Sequence, residues 1–147
     1  MKRPLNTIEA KDHILREFRF LVEDCDFGVI DVTEKPCLSI TYKNATTALR
    51  VGYEPVDRGV FVLLIRLVHG QIPPYPLHIR PPDIIDIFYL DDLVALRGKK
   101  LRTSDMRVRS WKESIAQAAS ELRTSATDVL RGDFEVFLEL DKIVKSR

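Results

Sequence analysis

The sequence predicts an α+β fold: an N-terminal helix, an antiparallel meander of about four strands, a proline-rich crossover, and three C-terminal helices on the sheet. Three observations carry this. Residues 38–68 hold apolar-alternating runs separated by turn residues. Residues 14–25 and 111–144 instead repeat apolar positions at intervals of three and four. Between the two patterns, residues 69–83 concentrate five of the chain's eight prolines.

In the first helix, Asn6 or Thr7 can cap the start, with Glu9 in capping-box position after Asn6. Ile14, Leu15, Phe18, Leu21, Val22 and Cys25 fall on one continuous stripe. His13 lies beside that stripe, where a structural or solvated histidine is the ordinary expectation. Gly28 ends the helix, and residues 27–33 read as a short first strand.

In the meander, Leu38, Ile40 and Tyr42 alternate with Ser39, Thr41 and Lys43. Residues 44–46 form a short turn, since Asn tolerates left-handed backbone and bonds its own backbone. Leu49, Val51 and Tyr53 then repeat the pattern. Residues 60–68 differ. Val60, Val62, Leu64 and Val68 share one face, while Phe61, Leu63, Ile65 and Leu67 share the other. A strand apolar on both faces expects cover on both sides. The following proline segment is the nearest candidate, and a homodimer interface is the alternative.

Proline fixes φ and supplies no N–H, so residues 69–83 form neither a central strand nor a helix interior. A stiff strap is expected, with Ile72, Tyr75, Leu77 and Ile79 facing inward. Its decoration by His69, Tyr75, His78 and Arg80 makes it a candidate binding surface. Asp83 then caps a helix predicted to run to Leu96, with Asp86 in its first turn and Ile84, Ile85, Phe88 and Leu93 on its apolar side. That placement explains those carboxylates without a metal.

Residues 97–112 are the strongest charge anomaly. Arg97, Lys99, Lys100, Arg102, Arg107, Arg109 and Lys112 face Asp105 alone, a local charge of +6 in a chain of +1, which leaves −5 elsewhere. Trp111 closes the segment. These residues are candidates for contact with an acidic protein surface, or secondarily with nucleic acid. A helix follows from Asp105 through Leu130, Gly132 stops it, and Asp133 caps the last helix. Phe134, Phe137, Leu138, Asp141 and Val144 form the inner side of that last helix, widened by Leu140 and Ile143.

At 147 residues, 45% apolar and 31% charged, residues 1–147 read as one soluble globular domain. No run reaches the ~18 apolar residues of a membrane span. The basic N-terminus lacks the apolar stretch of a secretory signal, so no such signal is expected and a cytoplasmic location is. Cys25 and Cys37 read as free thiols there. There is no GxGxxG, P-loop, GxSxG or HExxH. No cofactor or metal ligand set is expected.

Residues 18–27 (FRFLVEDCDF), the meander pieces 40–44 (ITYKN) and 49–53 (LRVGY), and the ending 130–134 (LRGDF) together resemble small bacterial proteins of uncharacterised families. Some relatives of that kind sit beside polymorphic toxins as immunity proteins. The resemblance implies a non-enzymatic module that acts by binding a protein partner, and it transfers no catalytic residue. The alternatives from the residues themselves are a nucleic-acid accessory protein using residues 97–112, and a ligand binder or enzyme with a pocket under the strap.

Overall fold

The period-two pattern of residues 38–68 is realised as the centre of a five-stranded antiparallel sheet in the order β1-β2-β3-β4-β5. The structure, a computed structural model, describes residues 7–35, 37–54, 59–73, 85–98 and 110–146. The strands are β1 Gly28–Thr33, β2 Leu38–Lys43, β3 Thr47–Glu54, β4 Gly59–Arg66 and β5 Ile87–Tyr89. The helices are α1 Thr7–Glu17, α2 Arg19–Asp24, α3 Leu90–Leu96, α4 Trp111–Ser125, α5 Thr127–Leu130 and α6 Glu135–Lys145. The chain is thus α+β.

Register follows the apolar alternation. Leu38 pairs with Tyr53, Ile40 with Val51 and Tyr42 with Leu49, so these six side chains lie on one face. Val51 pairs with Val62 and Leu49 with Leu64, which extends that face across β4. Each of the six helices contributes residues to the buried cluster over it, among them Ile14, Leu21, Leu93, Leu122, Val129 and Phe137. Phe137 meets Phe88 edge-on at 4.8 Å between ring centroids.

The two-sided strand matches expectation up to Arg66, where β4 ends, whereas Val68, expected on the first face, is 39% exposed in the turn that follows. Val60, Val62 and Leu64 join the helix-side cluster, while Leu63 and Ile65 are buried on the opposite face with Ala48 and Ile87. Phe61, Leu67 and Ile72 pack against this second cluster. Ile72 therefore takes the inward position expected of it. Tyr75, Leu77 and Ile79 lie outside the described residues. Gly52 makes room for the second layer, because a Cβ there would sit 2.0 Å from Phe61 Cζ.

Four expectations need correction. The single N-terminal helix is two, broken at Phe18 (φ −97°, ψ 14°). The break turns Phe20 inward and leaves Val22 48% exposed. The helix predicted over 83–96 begins only at Leu90, because residues 87–89 form the fifth strand. Ile87, Phe88 and Tyr89 pair with Ile65, Leu64 and Leu63, the β4 edge whose two apolar faces accept one residue each side. Four apolar residues in five fit either period, and the open strand edge decides between them. Asp86 is consequently not in a helical first turn, and Asp83, expected as the cap, lies outside the described residues. Its carboxylate accepts from Arg66 Nε at 2.7 Å, with Arg66 also 5.9 Å from the Phe134 and Phe137 ring centroids.

Third, the helix predicted from Asp105 starts, within the described residues, at Trp111. Ser110 Oγ accepts from Glu113 N at 3.2 Å and caps it. It breaks at Ala126 (φ −119°, ψ 25°), which separates α5. Four helices rather than three therefore follow the proline-rich segment among the described residues. Arg97 closes the break by donating to Ser125 O at 2.5 Å and, through both terminal nitrogens, to Asp128 at 3.1 and 2.6 Å. Burial pushes the Asp128 carboxyl up, but the Arg97 bonds and charge outweigh it and hold it below the usual range. Fourth, the inner face of α6 is Val136, Phe137 and Leu140, while Leu138 is 67% exposed. Asp141 lies 3.1 Å from Lys145.

Candidate functional site

The edge of the sheet at β1 and the cleft beside its first residue are two surface features that the core does not consume. They start from local backbone chemistry at the end of α2. Cys25 N and Phe27 N both donate to Leu21 O, at 3.3 and 3.0 Å, which folds the chain back on the helix end. Asp26 adopts φ +60°, a left-handed geometry that Asp accommodates better than most side chains. Phe27 is then buried and β1 begins.

Asn44, at the tip of the β2–β3 hairpin, ties three segments together. Its Oδ1 accepts from Thr46 N at 3.0 Å and Thr47 N at 2.8 Å. Its Nδ2 donates to Cys25 O at 3.3 Å and Leu130 O at 3.4 Å. Thr47, fully buried, donates to Val129 O at 3.1 Å. Gly132 closes the arrangement at φ +88°, where a Cβ would lie 2.7 Å from Thr46 Oγ1.

These contacts frame a cleft of about 550 Å³ lined by Asp24, Cys25, Asp26, Thr46, Thr127 and Arg131, among others. Its chemistry is electrostatic rather than nucleophilic. Burial pushes the Cys25 thiol up, Asp24 and Asp26 push it further, and Arg123 and Arg131 only partly offset this. A thiol held above its ordinary value is protonated near neutrality and is a poor nucleophile. Among the described residues, no histidine lines the cleft. Asp24 and Asp26 are exposed, so the cleft offers two solvated carboxylates opposite one guanidinium.

β1 itself is exposed at all six residues. It pairs with β2 alone, so its other edge is unpaired among the described residues. Val29, Ile30 and Val32 are 42%, 53% and 39% exposed, although Val29 and Val32 sit opposite the buried Tyr42 and Ile40. The register slips between Val29 and Asp31, which makes Ile30 the extra residue of a bulge. α2 touches β1, and its exposed Val22 adds to the apolar surface on that side of the molecule.

Of the residues singled out from sequence, four are described: His69, Arg97, Trp111 and Lys112, and Arg97 is held in the fold by Ser125 O and Asp128. His69 lies in the exposed turn closed by the Val68–Gln71 bridge, at φ +53°. Trp111 opens α4, half-buried against the core. Its ring meets His13 edge-on at 5.6 Å and Tyr53 at 6.5 Å, with the Lys112 ammonium 5.5 Å from its centroid. His13 Nε2 is 3.8 Å from Glu17. Nothing in the described structure joins His69 to Trp111. Tyr75, His78, Arg80, Lys99, Lys100, Arg102, Arg107 and Arg109 lie outside the described residues. Cys25 and Cys37 are free, half-buried thiols.

Sequence reasoning missed the β1 edge because its valines and isoleucine look like core. The available signal was Asp31 inside an apolar run, together with the carboxylates on either side of it. No helix of the described structure is long and apolar enough to cross a membrane. Among the described residues no group of three or more His, Cys, Asp or Glu is placed to hold a metal ion. Compared with known protein families, curated proteins and solved structures, the chain matches none of them.

Proposed function

We propose that this chain is a cytoplasmic, non-enzymatic protein-binding module that blocks or holds a partner by surface complementarity, in the manner of an immunity protein. The observation that supports it is the unpaired β1 edge with Val29, Ile30 and Val32 exposed. An exposed apolar strand edge offers a partner both backbone hydrogen bonds and apolar contact, and soluble proteins otherwise shield such edges. The half-buried free thiols suit a reducing compartment.

The basic residues Lys99, Lys100 and Arg102 belong to this reading as a second contact, one that would meet an acidic patch of the partner away from the strand that docks on β1. The test is affinity capture by the full chain, the Ile30→Asp variant and the Lys99→Glu/Lys100→Glu variant. One defined protein should be retained by the full chain, lost with Ile30→Asp, and weakened by charge reversal. Retention of the same proteins by the full chain and both variants would overturn the reading.

A further inference from the structure

Resting on the protein-binding reading, we propose that β1 receives an extended, basic strand of the partner, whose cations face Asp31 and the carboxylates Asp24, Asp26 and Glu34. Between Asp24 and Glu34 the chain has four carboxylates and no lysine or arginine. All four are exposed, and none forms an ion pair with a described residue. Asp31 accepts only from its neighbour Thr33, at 2.9 Å. Among the described residues, the unpaired edge therefore combines three exposed apolar side chains with Asp31 in the strand and Asp24, Asp26 and Glu34 in the segments that flank it.

That charge selects the occupant. A second copy of this chain would have to pair β1 with itself. Two-fold antiparallel pairing about Asp31 sets two carboxylates face to face, and pairing about Ile30 sets Asp26 against Glu34. Directly opposed like charges destabilise a strand pair, and a bulged edge further resists indiscriminate pairing. A strand alternating lysine or arginine with β-branched residues has neither fault. Its apolar side chains meet Val29, Ile30 and Val32, and its cations meet the four carboxylates. At the first residue of β1, the cleft of about 550 Å³ gives one long cationic side chain a place between Asp24 and Asp26. Arg131 on the cleft wall disfavours a second cation there and so fixes the end of the register.

The experiment uses the full chain and two synthetic peptides of β1's length, one alternating lysine with valine and the other glutamate with valine. Amide hydrogen exchange should show the lysine–valine peptide protecting residues 29–33. Glutamate–valine should give no protection. Asp31→Lys, at an exposed position, should weaken the lysine–valine peptide by about fivefold and favour the glutamate–valine one. Equal binding of both peptides would overturn the assignment, as would protection away from β1. Protection of residues 29–33 with no peptide present, in a chain that sediments as a dimer, would overturn it in favour of a second copy. If capture of the natural partner depends on Ile30 while lysine–valine does not bind, this assignment falls and the protein-binding reading stands. Loss of both removes the reading as well.

Discussion

β1 and β4 are strands of one sheet, each rich in β-branched and apolar residues, yet their surroundings are opposite. β4 buries Leu64 and Ile65 completely, one on each face. β1 exposes every residue, including Val29 and Val32, which share the core-facing side with Tyr42 and Ile40. The difference is position. β4 has β3 and β5 on its two sides, the helix-side cluster on one face and Phe61, Leu67 and Ile72 packed with its other face. β1 has β2 alone. Strand composition reports what a sheet can bury, while neighbours decide what it does bury. An apolar strand left at an edge is then available for something outside the chain.

The sharpest way to break the comparison is truncation at equivalent chemistry. Leu64→Ala should cost about 2–5 kcal/mol, because the site is closed on all sides and relaxes poorly. Denaturant unfolding checks this. A cost below about 1 kcal/mol would mean that β4 is not packed as described.

Tyr42, opposite Val29, tests how dry the boundary between the two regions is. Burial pushes its phenol from 10.0 up to about 12. Its hydroxyl is buried without a hydrogen-bond partner among the described residues. The unfolded chain ionises first, so this stabilisation is full below pH 10 and is lost as pH rises from 10 to about 12. The loss amounts to about 2–3 kcal/mol. Tyr42→Phe should remove that part of the alkaline loss and cost little at neutral pH, since no bond is broken. Parallel pH profiles of the two proteins would contradict a buried Tyr42.

Gly132→Ala probes the frame that holds the start of β1. The left-handed backbone and the approach of Thr46 should together cost about 1–3 kcal/mol. Thermal unfolding reads it, and no shift would mean that the Asn44 junction is soft. The smallest effect belongs to β1. Ile30→Ser should change stability by no more than about 0.5 kcal/mol while abolishing partner capture. A large loss of stability would make β1 a structural strand rather than a docking edge.

Much of this was legible in the sequence. The alternation of Leu38, Ile40, Tyr42, Leu49, Val51 and Tyr53 specifies register as well as strands, since a one-residue slip would expose all six. The two-sided character of residues 60–65 likewise follows from their order alone. What was not legible depended on tertiary partners. Ile87, Phe88 and Tyr89 are strand because β4 had a free edge for them. Val22 sits at a helical position that looks apolar-facing, but the break at Phe18 resets which face of α2 turns inward, and Leu138 falls off the Val136, Phe137 and Leu140 face of α6. The β1 edge is invisible from its own residues, because exposure there reflects the missing neighbour. The cleft was equally hidden, being assembled from segments around residues 25, 45 and 130 that Asn44 joins.

The central claim is that β1 is open in the isolated protein while β4 is closed, and amide hydrogen exchange on the full chain measures it directly. Slow exchange is expected for residues 62–65, at rates set by global unfolding. Fast exchange is expected for those of residues 29–33 whose amides face away from β2. The contrast should hold at every protein concentration tested. Protection of residues 29–33 equal to that of residues 62–65, at high dilution and with no partner present, would contradict the account.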